Sequence, residues 1–330
     1  MSKNAGKTVT LNKIVEEAAK INLNLALISY GRDGEEIDAI TRQKKPRIYI
    51  PPHTYFVTAS KAYRKSDLQA EIIAHTGIKS LMGEVIIYKS NFKGGEVELV
   101  GINTAQRLKE LKKKIPSGVD LFLVDGALDR RSSAMPALSE GFILATGAVV
   151  GNTEELVIKK TIHEIRRLTL PELKSKRLQK VAGDFFAKKE DGILTEDGEL
   201  HKLSSRTSFG HKREISQFNA EKIKAIIFNG ALVDSFVEDL LFKLKLSDCQ
   251  LIVKDGTRVF LNKRNMNLLQ KQNINIKVFH SIKLLAITVN PTSPQGRKLD
   301  SNQLVWGLRE KLPNVPVYDL LGSEYQTIER

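Results

Sequence analysis

Four residues near the start of the chain and one at position 125 have the types and spacing for phosphate chemistry. Lys3 to Thr8 read K-N-A-G-K-T, and Gly-Lys-Thr entering a helix is the core of a phosphate-binding loop. Backbone N–H groups of Ala5 and Gly6 would cradle phosphate oxygens, Lys7 would reach the β- and γ-phosphates, and the Thr8 hydroxyl would hold Mg²⁺. The positive end of the following helix adds to the attraction for an anion. The second component is a carboxylate. Val119 to Gly126, V-D-L-F-L-V-D-G, is an apolar run ending in Asp-Gly, as expected of a buried parallel strand that delivers Asp125 to the edge where ligands bind. Asp125 would reach the metal through its water shell. A second carboxylate, Asp33 or Glu35 in the loop Gly31 to Glu36, could position Mg²⁺ or an attacking water, although for either one a surface loop rich in turn residues is slightly favoured.

The elements that must position these groups follow from the apolar pattern. Val9, Leu11, Ile14, Val15, Ala18 and Ala19 recur at helical spacing, which predicts a helix over 8–20 beginning where the loop needs one. Leu25 to Ser29 reads as a short buried strand. What should precede the loop is different: the full motif places a glycine five residues ahead of Gly6, where this chain has Met1, and a buried strand leading in. The expectation is either a start placed too late or a loop that has lost its scaffold; on the first six residues alone, a flexible basic terminus competes with the phosphate loop.

From 47 to 101 the pattern is strand-like, over 47–50, 55–59, 69–76, 84–88 and 96–100, with Asn91 to Gly95 expected to turn a hairpin between the last two. This predicts a β-rich insertion carried on an α/β frame. Further helices are expected over 104–115 and 154–168 and a strand over 142–146. His163 flanks the apolar face of the second helix, with no other His or Cys at metal-ligand spacing. The turn dipeptides Asp191-Gly192 and Asp197-Gly198 and the polar stretch 204–213 suggest a hairpin and linker over 181–215. A second strand–helix series then runs from 222 to 318, with a stiff loop, Pro291 to Gly296, that could lie at its ligand edge or equally serve as an interface loop. The expected architecture is α/β: a phosphate-loop NTPase-like domain with a mostly parallel sheet over 1–180, the linker, and a smaller α/β domain over 216–330.

Composition narrows the function classes. With 330 residues, 41% hydrophobic and 27% charged, the chain can build two cores and is not a disordered polymer. One cysteine, Cys249, cannot make an internal disulfide and fits a reducing, cytoplasmic setting. The longest apolar run, Phe142 to Val150, is too short to cross a membrane, and no signal-peptide pattern opens the chain. The net charge of +14 favours an anionic partner. Its clusters at 112–114, 159–160, 166–167 and 174–180 fall near expected helix ends, so a solvated basic face is favoured over a nucleic-acid groove, and no recognition motif accompanies them.

In order along the chain, K-N-A-G-K-T, L-I-S-Y-G-R-D-G-E, L-F-L-V-D-G-A, F-I-L-A-T-G-A and I-T-V-N-P-T-S-P-Q-G resemble a family known as the accessory subunit of lysine 5,6-aminomutase reactivase. The resemblance implies a chaperone-like role in lysine fermentation. Such a subunit would work with a MutS-related ATPase to release damaged cobalamin from the adenosylcobalamin-dependent mutase, with Gly6, Lys7 and Thr8 on the phosphates of ATP or GTP and Asp125 near Mg²⁺. Nucleotide turnover would make it an ATPase or GTPase. The alternatives are a degenerate scaffold without turnover, a basic nucleic-acid binder, and a ligase of the dethiobiotin-synthetase type.

Overall fold

The computed structural model describes residues 4–30, 47–102, 104–126, 136, 139–204 and 208–320. The chain divides into two compact units, Met1–Lys160 with Leu285–Arg330, and Thr161–Leu284.

The first unit opens with α1 (Lys7–Lys20), followed by β1 (Leu25–Tyr30), β2 (Ile48–Ile50), β3 (Tyr55–Ala59), α2 (Ser60–Arg64), β4 (Ala70–Ser80), β5 (Gly83–Ser90), β6 (Gly95–Val97), α3 (Ala105–Lys114), β7 (Leu121–Gly126) and β8 (Phe142–Gly147). Its larger sheet has the order β4-β5-β3-β1-β7. β3, β1 and β7 run parallel, and β5 and β4 extend them antiparallel. β1 is apolar on both faces and wholly buried, which is why it sits between neighbours. On one face Leu25 and Leu27 meet Leu11, Val15 and Ala18 of α1; on the other Ile28 meets Leu108 and Leu111 of α3. Each such leucine contributes about 1.5–3 kcal/mol on burial.

The chain enters the second unit along α4 (Glu154–Leu168), then forms α5 (Lys176–Lys188), β9 (Asp191–Thr195), β10 (Leu200–Leu203), α6 (Ser208–Ile215), β11 (Ile223–Phe228), β12 (Leu232–Val233), α7 (Asp234–Glu238) continued by a π-turn over Asp239–Lys243, β13 (Gln250–Val253), β14 (Val259–Phe260), α8 (Lys263–Lys271) and β15 (Asn275–Val278). Its sheet has the order β10-β9-β11-β13-β15, with β11, β13 and β15 parallel and β9 and β10 antiparallel. The chain then returns to the first unit as β16 (Leu284–Asn290), α9 (Ser301–Lys311) and β17 (Val317–Asp319), forming a three-stranded sheet β17-β16-β8.

The molecule is thus mixed α/β with several sheets, and most expected elements lie within a residue or two of their sequence ranges. Four expectations are corrected. The stretch 47–101 is not a self-contained insertion, because β3 pairs in parallel with β1 at the centre of the main sheet. Residues 91–95 do not turn a hairpin: β5 is occupied by β3 and β4, and β6 pairs with β2. The hairpin partner of β5 is β4, closed at Gly83, whose φ of 93° suits the turn. Residues 181–215 contain the expected hairpin, β9 to β10 around Asp197-Gly198, but are not a linker, since the end of α5 lies there and β9 pairs with β11 inside the second sheet. Finally, no single C-terminal domain covers 216–330: β16 pairs with β8 and returns the last elements to the first unit.

Candidate functional site

Helix α1, like the short helices α2 and α7, starts without a side-chain cap, and in this it differs from four of the longer helices. Thr104, Ser175, Asn262 and Asp300 cap α3, α5, α8 and α9 through side-chain oxygens that accept from backbone N–H groups. At α1 the capping position is Gly6, which supplies no side chain, and the first turn holds no acidic residue. Its φ of 98° and ψ of 13° lie in the left-handed region, and a Cβ there would come 3.2 Å from the Asn290 Cβ. Glycine suits this left-handed conformation, and a side chain there would press against Asn290. The helix end carries partial positive charge that no side chain of the first turn offsets.

Asn290, the last residue of β16, ties the mouth of α1 to the sheet. Its Nδ2 donates to the Asn4 carbonyl at 3.4 Å, its Oδ1 accepts from Thr292 N at 3.1 Å, and its carbonyl accepts from Ala148 N at 2.9 Å. Gly147, at φ 151°, closes against the same carbonyl so tightly that a Cβ would lie 1.8 Å from the oxygen. One turn into the helix, Thr10 Oγ1 donates to the Gly6 carbonyl at 3.0 Å and is 2.8 Å from Thr288 Oγ1. Both threonines are buried, so the pair fixes α1 on β16.

These contacts set the direction of α1. Gly6 and Thr10 lie along Asn290 and Thr288, so the helix runs against β16; its other end turns into β1, where Asn24 exchanges hydrogen bonds with Asp120 at the start of β7. The N-terminus of α1 and the C-terminal ends of β1 and β7 therefore occupy one edge of the first unit. Asp125 is the penultimate residue of β7, buried, in register with Ser29 of β1. The Ser29 side chain is fully buried, and its Oγ has no hydrogen-bond partner among the described residues. An unsatisfied buried hydroxyl costs free energy, which marks this edge as one where a further polar partner would be stabilising.

Of the sequence-derived site residues, Ala5, Gly6, Lys7 and Thr8 lie at the mouth of α1 and Asp125 at the end of β7. Ala5 is buried, while Gly6, Lys7 and Thr8 are half-buried. Asp33 lies outside the described residues. Sequence reasoning missed Thr10, Ser29, Thr288 and Asn290. The signal for Asn290 was present in its position at the end of an apolar strand, just before the loop 291–296. A small cavity, ≈ 10 Å³, lies among Ala5, Gly6, Thr10, Thr288 and Asn290, enough for about one water molecule.

A larger cleft of ≈ 270 Å³ lies in the second unit, lined by Lys224, Asp248, Cys249, Gln250 and Asn273 among others. It is at the N-terminal ends of β13 and β15, opposite the edge where open α/β sheets bind ligands. Two of its polar groups satisfy each other: Asn273 Nδ2 donates to Asp248 Oδ1 at 2.8 Å, and that bond holds the Asp248 carboxyl below its usual range. Burial pushes the Cys249 thiol up to about 12, away from nucleophilic chemistry. At the other edge of this sheet His211 Nε2 lies 3.1 Å from Asp191 Oδ2, both largely buried, joining α6 to β9. Among the described residues no three His, Cys, Asp or Glu side chains cluster to hold a metal, and no helix is long and apolar enough to cross a membrane.

No protein-family model, curated protein or solved structure matches the chain.

Proposed function

We propose that the first unit is a phosphate-loop, NTPase-like module that binds ATP or GTP with Mg²⁺. The observation that carries this reading is the side-chain-free mouth of α1 at Gly6, on the same sheet edge as Asp125 and the unsatisfied Ser29 hydroxyl. The residues fit the ligand by type. First-turn N–H groups and Lys7 would hold phosphate oxygens, and Thr8 with Asp125 would hold the cation, whose remaining ligands would be phosphate and water. When bound, the ion would draw charge off the phosphates, and Lys7 would supply the matching positive charge from the protein.

The sequence resemblance extends the proposal to biology: an accessory, chaperone-like subunit that acts with a MutS-related ATPase on the adenosylcobalamin-dependent lysine 5,6-aminomutase. Positively charged surface, +14 overall, suits a nucleotide and an acidic partner alike. A second reading, a scaffold without turnover, is favoured by one observation: the cavity at Gly6 holds ≈ 10 Å³, far below a nucleotide pocket of roughly 300 Å³ or more.

Mg²⁺-nucleotide binding by titration calorimetry separates the two. The first reading expects Lys7→Ala to weaken binding by about 10- to 100-fold, the loss of one charge-assisted contact of ~1.5–3 kcal/mol. Asp125→Asn should weaken binding in the presence of Mg²⁺ while leaving it unchanged in EDTA. Equal, negligible binding by the parent chain and both variants overturns the nucleotide reading and leaves the scaffold.

A further inference from the structure

Four residues stand in register across the second sheet, Leu194 of β9, Ala225 of β11, Gln250 of β13 and Asn275 of β15, so their side chains share one face. Under α5 this row is apolar, and Leu194 and Ala225 pack in one cluster with Ala182 and Phe186 of that helix. Beyond the cluster the row turns polar. Gln250 is half-buried and Asn275 exposed. Two adjacent carboxamides break the apolar pattern expected of parallel strands covered on both faces. The cleft of ≈ 270 Å³ lies along this row, walled by Leu178 in the first turn of α5. It falls just under the size of pockets for drug-sized ligands, roughly 300–1,000 Å³, so its occupant is small.

Two opposite charges, Lys224 and Asp248, also line the cleft. Hydrogen bonds from Asn273 and Ser247, and then the Lys224 charge, hold the Asp248 carboxyl below its usual range, so the cation and the anion sense one another. Neither is used up by its partner in the protein. Lys224 Nζ lies 3.2 Å from Glu196 Oε1, but both side chains are exposed, and an exposed pair of this kind contributes little. An ammonium has three donors and a carboxylate about four acceptor positions, so each keeps capacity for a further contact. The Gln250 carboxamide makes no hydrogen bond among the described residues. That of Asn275 makes only a long one, from Nδ2 to the Asn273 carbonyl at 3.5 Å.

We propose that this cleft binds a free α-amino acid with an aliphatic side chain. The carboxylate of the ligand meets the Lys224 ammonium and the Gln250 amide, its ammonium meets the Asp248 carboxylate and the Asn275 carbonyl oxygen, and its side chain lies on Leu178 and Leu194. The pair of wall charges selects a zwitterion. A simple anion would face Asp248, and a simple amine would face Lys224, each without the counter-charge that relieves the repulsion. Cys249 contributes only a buried thiol to the wall. The inference is independent of nucleotide binding, because every residue in it belongs to the second unit.

Titration calorimetry on the full chain with L-leucine tests it. Saturable binding with a Kd below about 5 mM is expected, with binding at least about tenfold weaker for isocaproate, which lacks the ammonium, and for isoamylamine, which lacks the carboxylate. These comparators test the charge requirement on the unaltered chain. Lys224→Met and Asp248→Asn should each weaken L-leucine binding by the same factor, and both positions are exposed, so neither change opens the core. A weaker Kd for L-leucine, or no saturation, overturns the proposal. So does a comparator that binds as tightly as L-leucine, or L-leucine binding that both substitutions leave unchanged.

Discussion

The two units solve the same problem, a sheet with parallel strands at its heart, to different degrees of completion. In the second unit β9, β11 and β13 each have neighbours on both sides, and the outer strands β10 and β15 are short and carry lysine. In the first unit the strands are divided between two larger sheets, with β7 in one and β8 in the other. The comparison teaches that a strand's sequence states the environment it was built for. β11, I-K-A-I-I-F, finds that environment, with five of its six residues buried; β7, L-F-L-V-D-G, does not. Unit two should accordingly behave as a finished cooperative core, and unit one should yield first along β7.

The largest effect that would test this contrast is in the cores. Phe236 is 1% exposed and stacked on Phe228 at 4.7 Å, so Phe236→Ala should destabilise the second unit by about 3–5 kcal/mol in denaturant titration. Phe122→Ala, on half-buried β7, should cost clearly less. Similar costs for the two would break the comparison.

An intermediate effect is kinetic. Cys249 lies in the second core with its thiol pushed up to about 12 by burial, so iodoacetamide labelling at pH 8 should be slowed at least about a thousandfold relative to the unfolded chain. Labelling that follows local rather than global opening would show this core to be less cooperative than its packing implies. The same burial carries a pH dependence, because the unfolded thiol ionises first, and stability therefore falls as pH rises through its ordinary value near 9.

The smallest effect is at His163, whose Nε2 lies 3.0 Å from the Leu261 carbonyl. Burial, then the nearby Arg167 charge, lowers its pKa from 6.5. The unfolded chain therefore binds the proton first on acidification. Stability of the second unit should decline as pH falls below about 6.5, and His163→Gln should flatten that slope in urea titrations at pH 5–7. An unchanged slope would show that the acid sensitivity of this unit comes from other groups.

Most helices and strands were legible locally, because apolar spacing reports which face is buried wherever the burial is one-sided or complete. Helix 154–168 falls on its sequence range, and the strands expected over 55–59 and 142–146 lie within a residue of theirs. Partners were not legible. Gly94 and Gly95 suited a hairpin, but β5 was already committed to β3 and β4, and β16 belonged with β8 rather than with the strands preceding it. At the candidate site the sequence supplied Gly6, Lys7, Thr8 and Asp125 because their chemistry is written in their types. Thr10, Thr288 and Asn290 became visible only when a contact bridged 278 to 286 residues of chain.

What the sequence determined by itself is the local conformation and the chemical equipment: a left-handed glycine ahead of a helix, a lysine and a threonine in its first turn, and an apolar strand ending in aspartate. Tertiary structure decided which strands are neighbours and that the last strands return to the first unit. The physical reason is that side-chain periodicity records burial but not the identity of the partner. Backbone hydrogen bonding is the same for every strand, so pairing is chosen by packing across the whole unit.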